Sequence, residues 1–322
     1  MEIPNKKRLL LFSGRANLPL AEEVASHLDV KLGEVEIVDF PNTEVRPRFS
    51  ESIRGADVFI MQSHTAPTNH SIMEHLLMID AAKRGSAKRI TAVCPYYGYG
   101  RQDRKSVGRE PISARLVADM LKVAGSDRVL SVDLHSGQIM GFFDGPFDHM
   151  TAANLLEDYL RTNAPSDMVI VSPDPGRARV MERFANHLDA GTAVVDKRRD
   201  PVTGQVTTRG VLGDVDGRMC VIVDDEIQTA GTICQAAEQV SKAGATEVWA
   251  VATHGVLSDP AIDRLKSSLI ARVVVTNTVP IPPEKQFDKL EVVSIAKVIA
   301  DAIDAVFQDT SVSEIFGGEN QI

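Results

Sequence analysis

Short apolar runs alternate with longer stretches of helical spacing along almost the whole chain, and this rhythm restricts the fold more than any other feature. "LLLF", "VEIVDF", "DVFIMQ", "RITAVCPY" and "RVLSVDL" are separated by segments such as "LAEEVASHL", "SIMEHLLMIDAAKRG" and "SARLVADMLKVAG". After residue 150 the rhythm restarts with "NLLEDYLRTN", "MVIVSPD", "RVMERFANHL", "TAVVDK", "MCVIVDDE", "EVWAVATHG" and "RVVVTNT". Runs this short and rich in β-branched residues are strands buried on both faces, and intervening helices demand parallel crossovers. The expected class is α/β, with mainly parallel sheets flanked by helices.

Two stretches echo each other. "DVFIMQSHTAPTNHSIMEHLLMIDAAKRGSAKRITAVCP" and "MCVIVDDEIQTAGTICQAAEQVSKAGATEVWAVATHG" share a strand, a Thr-containing loop, a helix, a Gly-containing turn and a strand. They read as a tandem duplication of one α/β domain, against the alternative that any two βα units look alike. With 322 residues, the length suits two domains. The polar stretch near 150–166 places the expected boundary so that the domains are 1–153 and 154–322, the second ending in the loose tail "GGENQI".

The net charge of −9 argues against a general basic surface for nucleic acid, while leaving local basic loops for anionic small ligands. "KKRLLLF" is too short for a secretory signal, and no run approaches the roughly 18 apolar residues of a membrane span. Cys94, Cys220 and Cys234 lie in or beside apolar runs without metal-type spacing, which reads as reduced core thiols in a cytoplasmic protein.

The second echo carries "VIVDDEIQTAGT" at 221–232. Val221–Val223 read as a strand, with Asp224 and Asp225 placed where it leaves the sheet. Thr229, Ala230, Gly231 and Thr232 then form a tight loop leading into a helix. Such a loop offers backbone N–H groups and a positive dipole end to a phosphate, the Thr hydroxyls add donors, and Gly231 and Ala230 allow close approach. Two adjacent exposed acids exceed what capping needs and suit two neighbouring sugar hydroxyls. Phosphate plus vicinal diol describes a ribose 5-phosphate group. The chain has neither "GxxxxGK[ST]" nor "GxGxxG".

The acid-pair and "TAGT" pattern resembles the ribose-phosphate loop of type I phosphoribosyltransferases. Further motifs narrow the resemblance: "FSGRAN", "SIRGADVFIMQS", "MIDAAKRGSAKRITAVCPYYGYGRQDRK", "REPISARLVADML", "VDLHSGQI", "GFFDGPFDH", "VSPDPGR", "DKRRD", "ATHGVLS" and "SVSEIF". In this order they resemble class I ribose-phosphate pyrophosphokinases, over roughly residues 8–316, with "SPDPGR" and "DKRRDP" closest to actinobacterial members.

That resemblance implies two tandem phosphoribosyltransferase-like domains and transfer of the diphosphoryl group of ATP to the C1 hydroxyl of ribose 5-phosphate, leaving AMP. It implies ATP contacts at Phe40, Asn42, Glu44, Arg101, Gln102, Asp103 and His135. It implies Mg²⁺ at His135 and Asp174, and ribose 5-phosphate contacts at Asp224, Asp225, Gln228, Thr229, Ala230, Gly231 and Thr232. Lys197 and Arg199, in the polar hairpin-like segment "DKRRDPVTGQVTTRG", match the family's catalytic flap. A regulatory phosphate/ADP site is implied at Ser52, Arg54, Arg109, Asp148, Ser311 and Ser313. The family's adenine pocket is completed between subunits, so a homo-oligomer, a hexamer, follows by resemblance.

Three residues depart from the family pattern. Gln228 stands where an acid is usual, Met140 replaces a Gln linked to the regulatory site, and Arg177 replaces a second Gly. Two rivals remain beside the pyrophosphokinase reading. One is a paralogue acting on a modified sugar phosphate, suggested by Gln228; the other is a non-catalytic regulatory subunit of a mixed oligomer.

Overall fold

The computed structural model of the chain describes residues 7–199 and 206–319, without the side chains of 177–180, 197–199 and 206–209. In chain order the first elements are β1 (Leu9–Ser13), α1 (Leu18–His27), β2 (Val35–Asp39), β3 (Val45–Phe49), β4 (Asp57–Met61), α2 (Thr68–Arg84), β5 (Arg89–Cys94), α3 (Ser113–Ala124), β6 (Arg128–Val132) and β7 (Phe147–Met150). They are followed by α4 (Ala153–Asn163), β8 (Val169–Ser172), α5 (Ala178–Leu188), β9 (Gly191–Arg199), β10 (Val206–Leu212), β11 (Met219–Ile227) and α6 (Gly231–Lys242). The chain closes with β12 (Glu247–Gly255), α7 (Ala261–Ser267), β13 (Arg272–Thr276), β14 (Leu290–Val293) and α8 (Ala296–Gln308). Contacts within the chain divide it into two units, each an α/β layer structure as the alternating pattern predicts.

The first unit holds a parallel sheet in the order β1-β4-β5-β6-β7. All five residues of β4 are buried, because successive side chains point to opposite faces and both faces are covered. Val58 and Ile60 join one core with Ile79 of α2 and Leu121 of α3. β2 and β3 form a separate antiparallel hairpin outside that sheet.

The second unit holds the order β10-β9-β8-β11-β12-β13-β14, parallel except for β10. From β8 the chain steps through α5 to β9 on one side. From β11 it steps through α6 to β12, and onward to β13 and β14, on the other. The strand order therefore reverses at the β8/β11 seam, where the crossovers diverge and leave a crevice beyond the strand ends. The first unit's sheet grows in one direction and has no such seam among its described strands. Both β4–α2–β5 and β11–α6–β12 are parallel βαβ units, the arrangement that the sequence echo implies.

The division differs from a cut at 153/154. Thr278–Pro280 and the residues from Ser294 onward group with the first unit. α8 carries a broad apolar face in which Ile299 and Ile303 are fully buried, and it packs beside α1. α1 by itself is too narrow to cover its side of a five-stranded sheet, so the last helix returns to share that task. Of the expected tail, the last three residues lie outside the described residues. Among the described residues, no helix is long and apolar enough to cross a membrane.

If α8 is part of the first unit's core, Ile303→Ala removes a fully buried side chain and costs about 2–5 kcal/mol in denaturant unfolding. A loss of only a few tenths of a kcal/mol, the level of an exposed tail helix, contradicts this placement.

Candidate functional site

In the second unit, β11 pairs β8 only through Ile222↔Val171, but stays paired with β12 as far as Ile227↔Gly255. Its last turnless stretch thus borders the seam on one side while the ladder on the other holds it rigid. Asp224 and Asp225 lie inside this strand, which corrects the expectation that the strand ends at Val223 and leaves two exposed acids behind it. Asp224 is half-buried; Asp225 is only 7% exposed. The Asp225 N–H donates to Asp224 Oδ1 at 2.9 Å.

The loop 228–230 follows. Ala230, not Gly231, takes the left-handed conformation (φ 58°) at the N-cap of α6, and no side chain caps that helix end. The loop is pinned from the β12–α7 connection: Leu257 N–H donates to Ile227 O at 3.0 Å, and Ser258 N–H to Gln228 O at 2.9 Å. Arg264 of α7 donates through Nη1 to Thr229 O at 2.9 Å. A Cβ on Gly231 would stand 3.3 Å from that nitrogen, so the glycine gives the guanidinium its place. Thr229 and Thr232 are exposed beside it. A cation next to a helix N-terminus adds to the positive potential there; sequence reading missed Arg264, because one Arg in a short helix looks like ordinary solvated charge.

Asp174 lies two residues past the end of β8, at the same seam. It is half-buried, and its Oδ1 accepts the Gly176 N–H at 2.8 Å. Lys197 and Arg199 are in β9, opposite Thr208 and Val206 of β10. β9 pairs β8 only up to Val194, so both lie where β9 and β10 continue as a two-stranded ribbon. Their side chains, and the turn 200–205 of the expected hairpin, lie outside the described residues.

In the first unit, the tip of the β2–β3 hairpin carries Phe40, Asn42 and Glu44, all exposed. The tip closes with Phe40 N–H to Glu44 O and Thr43 N–H to Phe40 O, both 2.8 Å, while Asn42 Oδ1 accepts the Glu44 N–H at 3.3 Å. The Arg46 guanidinium stands 5.7 Å from the Phe40 ring centroid. Arg101–Asp103 and His135 are brought together from two other loops. Gly100 packs against His135, and Gln138 donates to Asp103 Oδ2 at 2.6 Å. Gln102 accepts from Ser113 Oγ at 2.7 Å. His135 is half-buried and lies three residues beyond β6. Buried His149 orients its loop by accepting the Leu134 N–H at 3.1 Å; neither Gln138 nor His149 is conspicuous in the sequence.

Of the residues expected to regulate, Ser52, Arg54, Arg109, Ser311 and Ser313 are exposed in the first unit. Ser311 and Ser313 hydroxyls lie 3.0 Å apart, and Asp148 pairs with Arg128.

Among the described residues, the three-ligand cluster suited to a metal is His64, His75 and Cys94, all buried in the first unit. Its hydrogen bonds instead form a directional relay. Gly98 N–H donates to His64 Nδ1 (3.2 Å), which places the His64 proton on Nε2, facing His75 Nδ1 at 3.1 Å; His75 Nε2–H donates to Ile60 O at 3.0 Å. Each ring nitrogen thus has a partner with both rings neutral. Burial holds His64 well below the usual His range and His75 down to about 4.

Sequence comparison then places the chain. A family profile for the N-terminal domain of ribose phosphate pyrophosphokinase matches residues 9–125, and one for the phosphoribosyl synthetase-associated domain matches 202–317. The ribose-phosphate pyrophosphokinase of Streptomyces avermitilis is 54% identical over 97% of both chains. That of Mycobacterium bovis is 54% identical over 98% of both. The chain belongs to the ribose-phosphate pyrophosphokinase family. A crystal structure of phosphoribosylpyrophosphate synthetase from Mycobacterium smegmatis shares the two-unit fold, with a TM-score of 0.89 and 52% identity, covering 94% of this chain and all of that one.

The relay predicts a pH effect on folding. Below the ordinary His value of 6.5 the unfolded chain takes up protons that folded His75 refuses until about pH 4. Stability therefore falls as the pH is lowered through that interval. His75→Gln keeps one donor and one acceptor without a titrating ring, and makes this decline shallower in urea unfolding followed between pH 7 and pH 4. An unchanged decline contradicts the relay's role.

Proposed function

We infer that the protein transfers the β,γ-diphosphoryl group of ATP to the C1 hydroxyl of ribose 5-phosphate, forming 5-phosphoribosyl 1-diphosphate and AMP. What carries this reading is the near-full-length identity to proteins named for that activity; the geometry of the β11–α6 loop supplies a chemical rationale.

In this reaction the C1 oxygen attacks the β-phosphorus, the bond from that phosphorus to the α,β-bridging oxygen breaks, and AMP leaves with the bridging oxygen. The C1 hydroxyl proton is lost. Such a step needs positioning and charge neutralisation more than covalent help. In our reading the N–H groups opening α6, with Thr229, Thr232 and the cation of Arg264, bind the 5-phosphate. Asp224 and Asp225 accept hydrogen bonds from the ribose hydroxyls. Gln228 retains hydrogen-bonding capacity at the loop entrance without adding negative charge beside an anionic substrate. Phe40, Asn42 and Glu44 contact adenine, and Arg101, Gln102 and Asp103 contact the nucleotide. Lys197 and Arg199 neutralise charge on the transferring group. Ser52, Arg54, Arg109, Asp148, Ser311 and Ser313 take part in regulation.

His135 and Asp174 would hold Mg²⁺. The donors fit: the Asp174 carboxylate is half-buried past the end of β8, with Oδ1 accepting the Gly176 N–H and the backbone O accepting from Ser172 Oγ. Mg²⁺ also favours few protein ligands completed by phosphates and water. When bound, the ion neutralises phosphate charge and helps align the oxygens. The free thiols of Cys94, Cys220 and Cys234 suit a reducing cytoplasm, and assembly as a homohexamer completes the reading.

With ATP, Mg²⁺ and ribose 5-phosphate, AMP and phosphoribosyl diphosphate form in equal amounts; ADP as the nucleotide product, or no turnover, contradicts the proposal. Asp225→Asn lowers kcat/KM for ribose 5-phosphate by at least about tenfold, whereas Gln228→Asp retains or raises activity. A silent Asp225→Asn with an inactive Gln228→Asp would overturn the ribose assignment.

A further inference from the structure

The β2–β3 hairpin has no ladder to the first unit's sheet, so side chains must hold it. Its base is fixed by apolar packing: Phe49 meets Phe12 edge to face at 4.6 Å, with Val35 and Ile37 against the same core. From Ile37 the tip lies a further three residues away, about 10 Å at strand rise. Behind the hairpin is a cleft of about 600 Å³ lined by Gly14, Arg15, Leu18, Gly33 and Ile37, so packing is incomplete there.

Arg15 bridges this gap. Its Nη1 and Nη2 donate to Asp39 Oδ2 and Oδ1 at 2.6 and 2.8 Å, a two-pronged grip on the last residue of β2. On its other edge, Nε donates to Glu74 Oε2 at 2.8 Å and the Arg15 backbone N–H to Glu74 Oε1 at 2.7 Å. The Glu74 side chain is 1% exposed, and Gln62 Nε2 donates to its Oε1 at 3.0 Å. Gln62 in turn occupies space that any side chain on Gly14 would fill, since a Cβ there would stand 2.5 Å from its Oε1. A planar guanidinium held by a buried carboxylate is thus presented to the hairpin in one orientation. His70 Nε2 lies 3.3 Å from Asp39 Oδ1 and adds a second contact from α2. Arg15 holds the Asp39 carboxyl down to about 2, so the grip persists at neutral pH.

We propose that the Glu74–Arg15–Asp39 chain is a positioning device for nucleotide binding, fixing the hairpin tip that begins at Phe40. The proposal rests on the reading of Phe40, Asn42 and Glu44 as adenine contacts. Arg15 touches no substrate; it acts through Asp39, the residue adjoining Phe40.

The test uses the full-length protein in steady-state kinetics with ATP and ribose 5-phosphate. Asp39→Asn removes the outer end of the chain and leaves Arg15 paired with the buried Glu74, so folding survives. It raises KM for ATP about fivefold, the equivalent of about 1 kcal/mol. Its kcat and KM for ribose 5-phosphate stay within about twofold of the parent. Arg15→Lys, which cannot grip both carboxylates in one plane, acts in the same direction, and Asp39→Glu recovers most of the loss. Phe40→Ala is the control. If it raises KM for ATP while Asp39→Asn does not, the positioning role is wrong and the adenine reading stands. If both are silent, the adenine reading itself fails and the inference falls with it. A fall in kcat, or an equal rise in both KM values, also overturns the proposal, since a general loss of structure would produce either.

Discussion

The second unit depends on the seam between β8 and β11. A right-handed crossover can place the next parallel strand on either side of its predecessor, and here the chain goes one way from β8 and the other way from β11. The helices that follow these strands consequently part, and no helix fills the space beyond their ends. Asp174 stands past one strand of the seam, and Asp224, Asp225 and the α6 N-terminus stand along the other. The same divergence leaves β11 with a partner on one side only after Ile222, which allows a charged stretch to remain in a strand. The reversal leaves Asp224 half-buried rather than covered, and leaves the N-terminus of α6 at the crevice beyond the strand ends.

The first unit solves a different problem. Its sheet has no reversal, and the residues matched to nucleotide binding are borne instead by a hairpin tip and by two loops beyond β5 and β6. Loops are precise only where something rigid holds them. His149 holds the His135 loop by one backbone bond, Gln138 ties Asp103 to it, and Arg15 braces the hairpin against a buried Glu. For His149 and for the Glu74–Arg15 pair, a buried polar group sets the orientation of a more exposed segment.

Much of this was legible from periodicity. Runs such as Val58–Ile60 and Val221–Val223 are buried on both faces, and nothing but a covered parallel sheet makes use of them. Adjacent acids normally stop a strand, so the sequence alone ends β11 at Val223, whereas its one-sided pairing with β12 is a tertiary fact. The return of α8 to the first unit was hidden for a related reason: its amphipathic pattern says that one face is buried, but not against which sheet. Arg264, Arg15 and His149 reach their partners from 15 to 59 residues away, and their spacing gives no sign of it. The motif residues were easier to find because they crowd into short loops: the order "DDEIQTAGT" already contains the strand, the turn and the helix start.

The central claim is that the acids of β11 read the sugar hydroxyls while the α6 loop holds the phosphate. Calorimetric binding of ribose 5-phosphate and 2-deoxyribose 5-phosphate, to the parent protein and to the Asp224→Asn/Asp225→Asn double variant, tests it directly. The parent is expected to favour the ribose compound by about tenfold or more, the effect of one charge-assisted hydrogen bond. The double variant largely loses this preference while still binding both phosphates. A preference that survives loss of both carboxylates would contradict the account.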